Sequence, residues 1–385
     1  MASALRWGAE QGPGVGPALA VLPAVRDASR VATRLLRPPM LALSGGYREG
    51  VERPGPELSV ALSQEVPLAD VRRRRRELVS AWREHSKSQI ESARDAAALR
   101  AALAWAGCLE AGAIAQLRGQ ALEQAHAIEQ TSRARVAAGS SLPSDAALAS
   151  SELELARASM LDAEGAVTEA YSELKLATGQ PTSMQLEARG DLNGFDAILV
   201  ETPPPREALE RSPAMKEARA QAELARSQTD LVRATQGPSF AVGATFLREG
   251  TGARVYTAFV SVPLPFVDTA GFEAARERSV ELRARAHAGD LSRELGKRLA
   301  LAEHDRIHWR EVREALGRAE IAAREGLRVL LANYEAGVHD VSAVLIARQR
   351  VVSLQEGVTR ASAEVLRAEL LVRALTGRLR EESKP

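Results

Sequence analysis

Aromatic residues make up only 4% of this 385-residue chain, and cysteine occurs once, at Cys108. One cysteine excludes an internal disulfide and any zinc or disulfide framework. Within its alanine-rich run it reads as a small packed apolar residue. No run of 18 or more apolar residues is present, so no transmembrane helix is expected. Charge of either sign is not in excess: 51 basic and 50 acidic residues leave a formal net charge of +1, which argues against a general nucleic-acid-binding surface. No nucleophile–base constellation and no phosphate-cradling glycine loop occurs, so no enzyme, cofactor or catalytic residue is expected. The apolar stretch Gly16–Pro23 is short, holds two prolines and follows a single basic residue, Arg6. Residues 1–22 therefore read as an irregular segment in which a signal peptide is not evident.

Proline is missing from two long stretches, Leu68–Ala138 and Phe266–Ala336, each of 71 residues. At about 1.5 Å per residue, each unbroken helix would span roughly 105 Å. A rod of that length requires a coiled-coil-like bundle or a tube made with other subunits. The stretches are followed by Gly139 and Gly337, and the returning segments end in Thr178-Gly179 and Thr376-Gly377. Both pairs of landmarks keep an offset of 198, the mark of an internal duplication. The expected organisation is a first repeat over 23–179, a linker of irregular sequence over 180–212, a second repeat over 213–377 and a tail over 378–385. Ser144 or Asp145 is the expected cap of the first returning helix. One mismatch stands out: Pro23 to Pro39 covers 16 residues, whereas Pro213 to Pro238 covers 25. The first short helix thus reads as having lost about two turns.

Between short and long helices, each repeat carries two segments of period-two alternation. Met40–Tyr47 is a candidate strand. In Glu57–Pro67, Leu58, Val60 and Leu62 share one face, and Ser59, Ala61 and Ser63 the other. In the second repeat Phe240, Val242, Ala244 and Phe246 alternate with Ala241, Gly243 and Thr245. Tyr256, Ala258, Val260 and Val262 do the same in Val255–Pro263. Such lengths suit tilted membrane-spanning strands. Four strands cannot close a barrel, and open edges are not tolerated in lipid, so subunits must pool them; three chains give an even count of about twelve.

This order of elements, in duplicate, resembles the TolC-type outer-membrane efflux proteins from about Pro23 to Gly377. Its most specific pieces are Leu62-Ser63-Gln64-Glu65-Val66-Pro67 running into the basic run Arg72–Arg76, and Val260-Ser261-Val262-Pro263-Leu264-Pro265. Tyr334-Glu335-Ala336-Gly337 with Val344-Leu345-Ile346-Ala347-Arg348-Gln349, and the paired Thr-Gly ends, complete the set. The Ser-Gln strand and its arginine-rich continuation look most like the heavy-metal (CzcC-like) branch. The resemblance implies an α+β fold: long antiparallel helical hairpins forming a periplasmic tunnel, with four strands per chain in a trimeric twelve-stranded barrel. It implies an outer-membrane channel exporting small molecules or metal ions, with outer-membrane lipid, a periplasmic adaptor and an inner-membrane pump as partners. The turns would form the periplasmic tip, with Gly139, Tyr334, Gly337, Asp340 and Leu345 as candidate adaptor contacts. Leu58, Val60, Leu62, Phe240, Val242, Phe246, Tyr256 and Val260 would be barrel residues. The family's acidic pore positions correspond to Ala343 and Ile346, neither of them acidic, with Asp340 nearby.

Other readings remain open at this level. A periplasmic adaptor also has long hairpins, but one hairpin rather than two; a coiled-coil scaffold predicts no strands. Arg72–Arg76 suits a solvated helix start or anionic lipid. His304 and His308 share a helix face at i, i+4 and could ligate a metal, but exposed helix histidines are the plainer reading, and no metal site is expected. Arg48-Glu49-Gly50 and Arg248-Glu249-Gly250 read as equivalent turns.

Overall fold

The computed structural model describes residues 1–31, 39–50, 54–67, 70–192, 205–235, 237, 239–262 and 271–380. Helices α1 (Ala2–Gln11), α2 (Val15–Leu19) and α3 (Leu22–Val31) precede strands β1 (Met40–Arg48) and β2 (Gly55–Pro67). Helices α4 (Val71–Ala137), α5 (Pro143–Thr178), α6 (Pro205–Arg211) and α7 (Pro213–Thr235) follow. Then come β3 (Ser239–Arg248), β4 (Arg254–Ser261), α8 (Gly271–Glu335) and α9 (Val341–Leu375). The fold is α+β, mostly helical with one four-stranded antiparallel sheet. The expected boundaries at Pro263–Ala270 and in part of the linker fall outside the described residues.

The chain divides into two compact units, and α4 and α8 each contribute residues to both. The first unit holds Met1–Ala18, Ile90–Pro213 and Ser292–Pro385. Its core is built from α1, α4, α5 and α9 around Leu5, Ala98, Ala102, Trp105, Cys108, Leu174, Leu366 and Leu370. Alanine supplies most of the α4 side of this core: Ala97, Ala98, Ala101, Ala102 and Ala106 are fully buried. Small side chains let long helices approach closely without large aromatics. By length and composition one window of α4 is apolar enough to cross a membrane, although it holds no run of 18 apolar residues. Its buried alanines and Trp105 show that a packed helical interior, not lipid, takes up that apolar surface.

The second unit holds Leu19–Gln89 and Ala214–Leu291, and contains the sheet. Its strands run in the order β1-β2-β3-β4, so β1 and β4 are edges. Helical ends in this unit are joined by Arg83 donating to Ser29 Oγ (2.9 Å) and by an Arg74–Asp230 ion pair (3.4 Å). Buried Glu281 is held by Arg278 (2.8 Å) and Arg285 (2.7 Å).

Residues 1–22, expected to be irregular, form α1, α2 and the start of α3. They also resolve the missing turns. Gly179 and Gly377, which close the two returning helices, have left-handed φ of 69° and 71°. A Cβ on Gly179 would lie 2.3 Å from the Gln11 carbonyl oxygen, and one on Gly377 would lie 2.8 Å from that of Arg211. Gln11 ends α1 and Arg211 ends α6, so α1 is the counterpart of α6. The short helix of the first half therefore begins after Pro13, matching Pro213, not at Pro23. It has not lost two turns; it is broken between α2 and α3.

The duplication is written most plainly in the helix ends. Gly139, Gly179, Gly337 and Gly377 all have positive φ. At each, the glycine amide donates to the carbonyl three residues back and the next amide to the carbonyl five back. Examples are Ser140→Arg135 (2.9 Å) and Val338→Asn333 (2.9 Å). This is the Schellman closure, which needs a left-handed residue at one position and selects glycine there.

Candidate functional site

Ladder register decides which side chains share a face of the sheet. Leu62 lies opposite Leu41 and Ala244, Val60 opposite Leu43 and Phe246, and Val66 opposite Phe240. Val242 lies opposite Val260 and Phe246 opposite Tyr256. Directly paired residues point the same way, so every expected barrel residue (Leu58, Val60, Leu62, Phe240, Val242, Phe246, Tyr256, Val260) falls on one face. Leu41, Leu43 and Tyr47 join them. Leu62 is 53%, Val260 69% and Tyr256 75% exposed. The opposite face carries Ser44, Ser59, Ser63, Thr245 and Thr257 with alanine and glycine among them, Arg48, Glu57 and Glu65 toward its ends, and Met40, Leu247, Val255 and Phe259 as its larger apolar side chains. Water would solvate the second face and be driven from the first, the reverse of a sheet folded over a soluble core.

On the small polar face, Phe259 lies against Gly243, where an added Cβ would sit 2.5 Å from the ring. At the hairpin turns Arg48 pairs with Glu57 (2.6 Å) and Glu249 (3.8 Å). The two Arg-Glu-Gly triplets are not equivalent. Arg48 pairs across the ladder with Gly55 on the polar face, whereas Arg248 pairs with Leu58 on the apolar one.

In the first unit, the turns α4–α5 and α8–α9 gather the other expected residues. Gly139 (φ 73°) and Gly337 (φ 79°) close α4 and α8. Asp340 caps α9, accepting from the Ala343 amide (3.2 Å) and the Ser342 hydroxyl (2.9 Å). Those hydrogen bonds, the Ser342 one foremost, hold its carboxyl below the usual aspartate range. The acidic side chain nearest Ala343 and Ile346 is therefore engaged as a cap, while Ile346 stands 69% exposed. The first half solves the same problem differently. Leu142 is the N-cap of α5 with no side-chain hydrogen bond, and Pro143 opens the helix. Ser144 and Asp145 therefore lie within the helix and do not cap it, a correction to the expected caps.

Tyr334 is not a surface contact: at 2% exposure it packs with Ile128, Ala149, Val341 and Val344, with Leu345 alongside. Its hydroxyl meets Ser132 Oγ at 2.9 Å, and the Arg135 guanidinium carbon stands 4.6 Å from its ring centroid. Arg135 also donates to the Tyr334 carbonyl. One tyrosine thereby joins the end of α8 to the end of α4.

Sequence reasoning missed a row of ion pairs between α4 and α9 with the short segment that follows it. Arg380 pairs with Glu91 and Asp95 (both 3.0 Å), Arg367 with Glu110 (2.5 Å), and Arg118 with Glu356. Arg348, nearly fully buried, pairs with Glu152 (3.5 Å) and donates to the Ala121 carbonyl. Desolvation lowers its pKa and Glu152 counters the shift. The conspicuous Ala347-Arg348-Gln349 segment was the available signal. His304 and His308 stack on α8 with ring centroids 5.9 Å apart. Among the described residues no group of three or more His, Cys, Asp or Glu side chains could hold a metal ion.

The outer membrane efflux protein family model matches residues 205–378, which includes the whole second repeat. No curated protein sequence matches the chain. The fold is that of several solved channels. The outer-membrane channel OprN superposes with a TM-score of 0.83 at 16% identity, over 97% of this chain and 89% of that one. The Campylobacter jejuni CmeC outer membrane channel gives 0.81 at 14%, over 99% and 89%. The open state of the Neisseria gonorrhoeae MtrE outer membrane channel gives 0.79 at 18%, over 100% and 90%. The family model thus covers 174 of the 385 residues, and the solved channels share the fold of nearly the whole chain.

Proposed function

We propose that this chain is the outer-membrane channel of a tripartite efflux system. Three copies pool their sheets into a twelve-stranded barrel, and their helices form a tunnel in the periplasm. The observation that carries the reading is a predominantly apolar, exposed face that spans all four strands of a sheet with two free edges, with Gln64 its one polar side chain between the Val66–Phe240 and Phe246–Tyr256 pairs. In lipid such a face is stabilised, and its edges must pair with those of other copies. The chain makes and breaks no bond; it offers a water-filled path for small molecules or metal ions.

The turns at Gly139 and Gly337 would meet a periplasmic adaptor that joins the channel to an inner-membrane pump, with Asp340 and Leu345 beside the contact. Exposed Ile346 favours an apolar constriction over an acidic one. The narrower assignment to a heavy-metal branch rests on Leu62–Pro67 and the arginine run alone. An adaptor or a coiled-coil scaffold accounts for hairpins but not for the sheet. The test is reconstitution of full-length protein in lipid vesicles. Leu62→Arg should cost about 2–4 kcal/mol at mid-membrane and block insertion, while Ala61→Arg on the polar face should insert and alter conductance. A protein that, expressed with an export signal, stayed soluble and monomeric would overturn the proposal.

A further inference from the structure

We propose that the turn end of the sheet holds the phosphate group of a membrane lipid between Arg248 and Arg254. The proposal rests on the channel reading above, which makes the apolar face the lipid-facing one. On that face Arg248 and Arg254 lie directly opposite one another across the β3–β4 ladder, and both are exposed. Like charges in this relation repel, and a sheet carrying them is destabilised unless an anion lies between.

Among the described residues carboxylates do not fill that role. Glu57 and Glu249 at this end pair with Arg48, which lies on the other face. Among the described residues neither Arg248 nor Arg254 has an ion-pair partner.

The neighbouring pair on the same face sets the depth. Phe246 and Tyr256 stand opposite each other with ring centroids 5.2 Å apart. Ala244–Ala258 and Val242–Val260 follow toward the helix-connected end. On β3 and β4 this aromatic pair is the last apolar pair before the turn, with Leu58 and Tyr47 of the neighbouring strands beyond it. Aromatic residues at the end of an apolar band mark the membrane interface. Two residues along a strand advance about 6.6 Å, which carries the guanidiniums from the aromatic rings to headgroup level. Two forks side by side suit a doubly charged phosphate monoester, each donating charge-assisted hydrogen bonds to its oxygens. Since both arginines project from the lipid-facing side, the phosphate belongs to a lipid headgroup rather than to solute in the channel.

The test uses the full-length channel in phosphatidylcholine nanodiscs doped with phosphatidic acid, with retained lipid read by native mass spectrometry. Wild-type protein should retain phosphatidic acid over phosphatidylcholine. Arg248→Gln with Arg254→Gln should weaken that preference about tenfold, and Arg248→Lys with Arg254→Lys should keep most of it. Equal preference in wild type and the glutamine variant would overturn the proposal. So would displacement of phosphatidic acid by an equal concentration of inorganic phosphate, which would mark a plain anion site. Failure to enter pure phosphatidylcholine bilayers would instead count against the channel reading, so the two failures are separable.

Discussion

Replacing Tyr334 by phenylalanine removes one hydroxyl and keeps the ring. The ring still fills its place among Ile128, Ala149, Val341 and Val344, and the Arg135 guanidinium still lies over it. What is lost is the 2.9 Å hydrogen bond to Ser132, whose side chain is fully buried. A buried hydrogen bond contributes about 1 kcal/mol net, and stranding its partner adds a desolvation cost, so the expected loss is about 1–2 kcal/mol. That corresponds to a factor of roughly 5–30 in a local opening equilibrium. Hydrogen exchange in a peptide spanning 334–345 should speed up by that factor, while peptides from the core around Trp105 should not change. Ser132→Ala strands the tyrosine hydroxyl and should cost about the same. The double variant removes both partners and should cost little more than either single change. Strictly additive effects, or unchanged exchange in Tyr334→Phe, would refute the claim that this pair fastens the end of α8 to α4.

Three further expectations concern different parts of the chain. Gly243→Val drives a side chain into the Phe259 ring and the Leu62 carbonyl, and should cost about 1–3 kcal/mol; a lower dissociation temperature of the assembled oligomer, partly restored by Phe259→Ala, checks it. Burial, with Glu173 nearby, raises the Cys108 thiol to about 11, so a thiol reagent at pH 8 should leave the folded protein unmodified and label it on denaturation. Asp340 has a folded pKa below its ordinary 3.8, so its cap on α9 is intact above that value and lost as pH falls through the folded value. Acid should therefore hasten exchange in the first turn of α9 but not of α5, which opens on Pro143; equal responses would contradict the assignment.

The elements that local pattern controls were legible in the sequence. Alternation located all four strands to within a few residues, because a two-sided sheet needs unlike faces. Absence of proline and paired glycines located the long helices and their ends. Tertiary relations were not legible. Residues 1–22 look irregular because Gly12, Pro13, Gly14, Gly16 and Pro17 obscure their helical character, and only the approach of Gln11 to Gly179 reveals their place in the repeat. Tyr334 was singled out by its motif, but its burial depends on Ser132 and Arg135, some 200 positions earlier. The α4–α9 ion pairs were invisible for the same reason: long charged helices contain many arginines and glutamates, and spacing within one helix does not say which of them face another.

The unequal starts of α5 and α9 bear on symmetry. In the proposed trimer, a ring of three chains would present six closely similar helical corners, which could in principle move alike. One corner of each chain begins on a stiff pyrrolidine, while the other depends on a titratable carboxylate and follows a helix end pinned by a tyrosine. Any dilation of such a ring would break its sixfold likeness first, with alternate corners yielding and those between them acting as fixed posts.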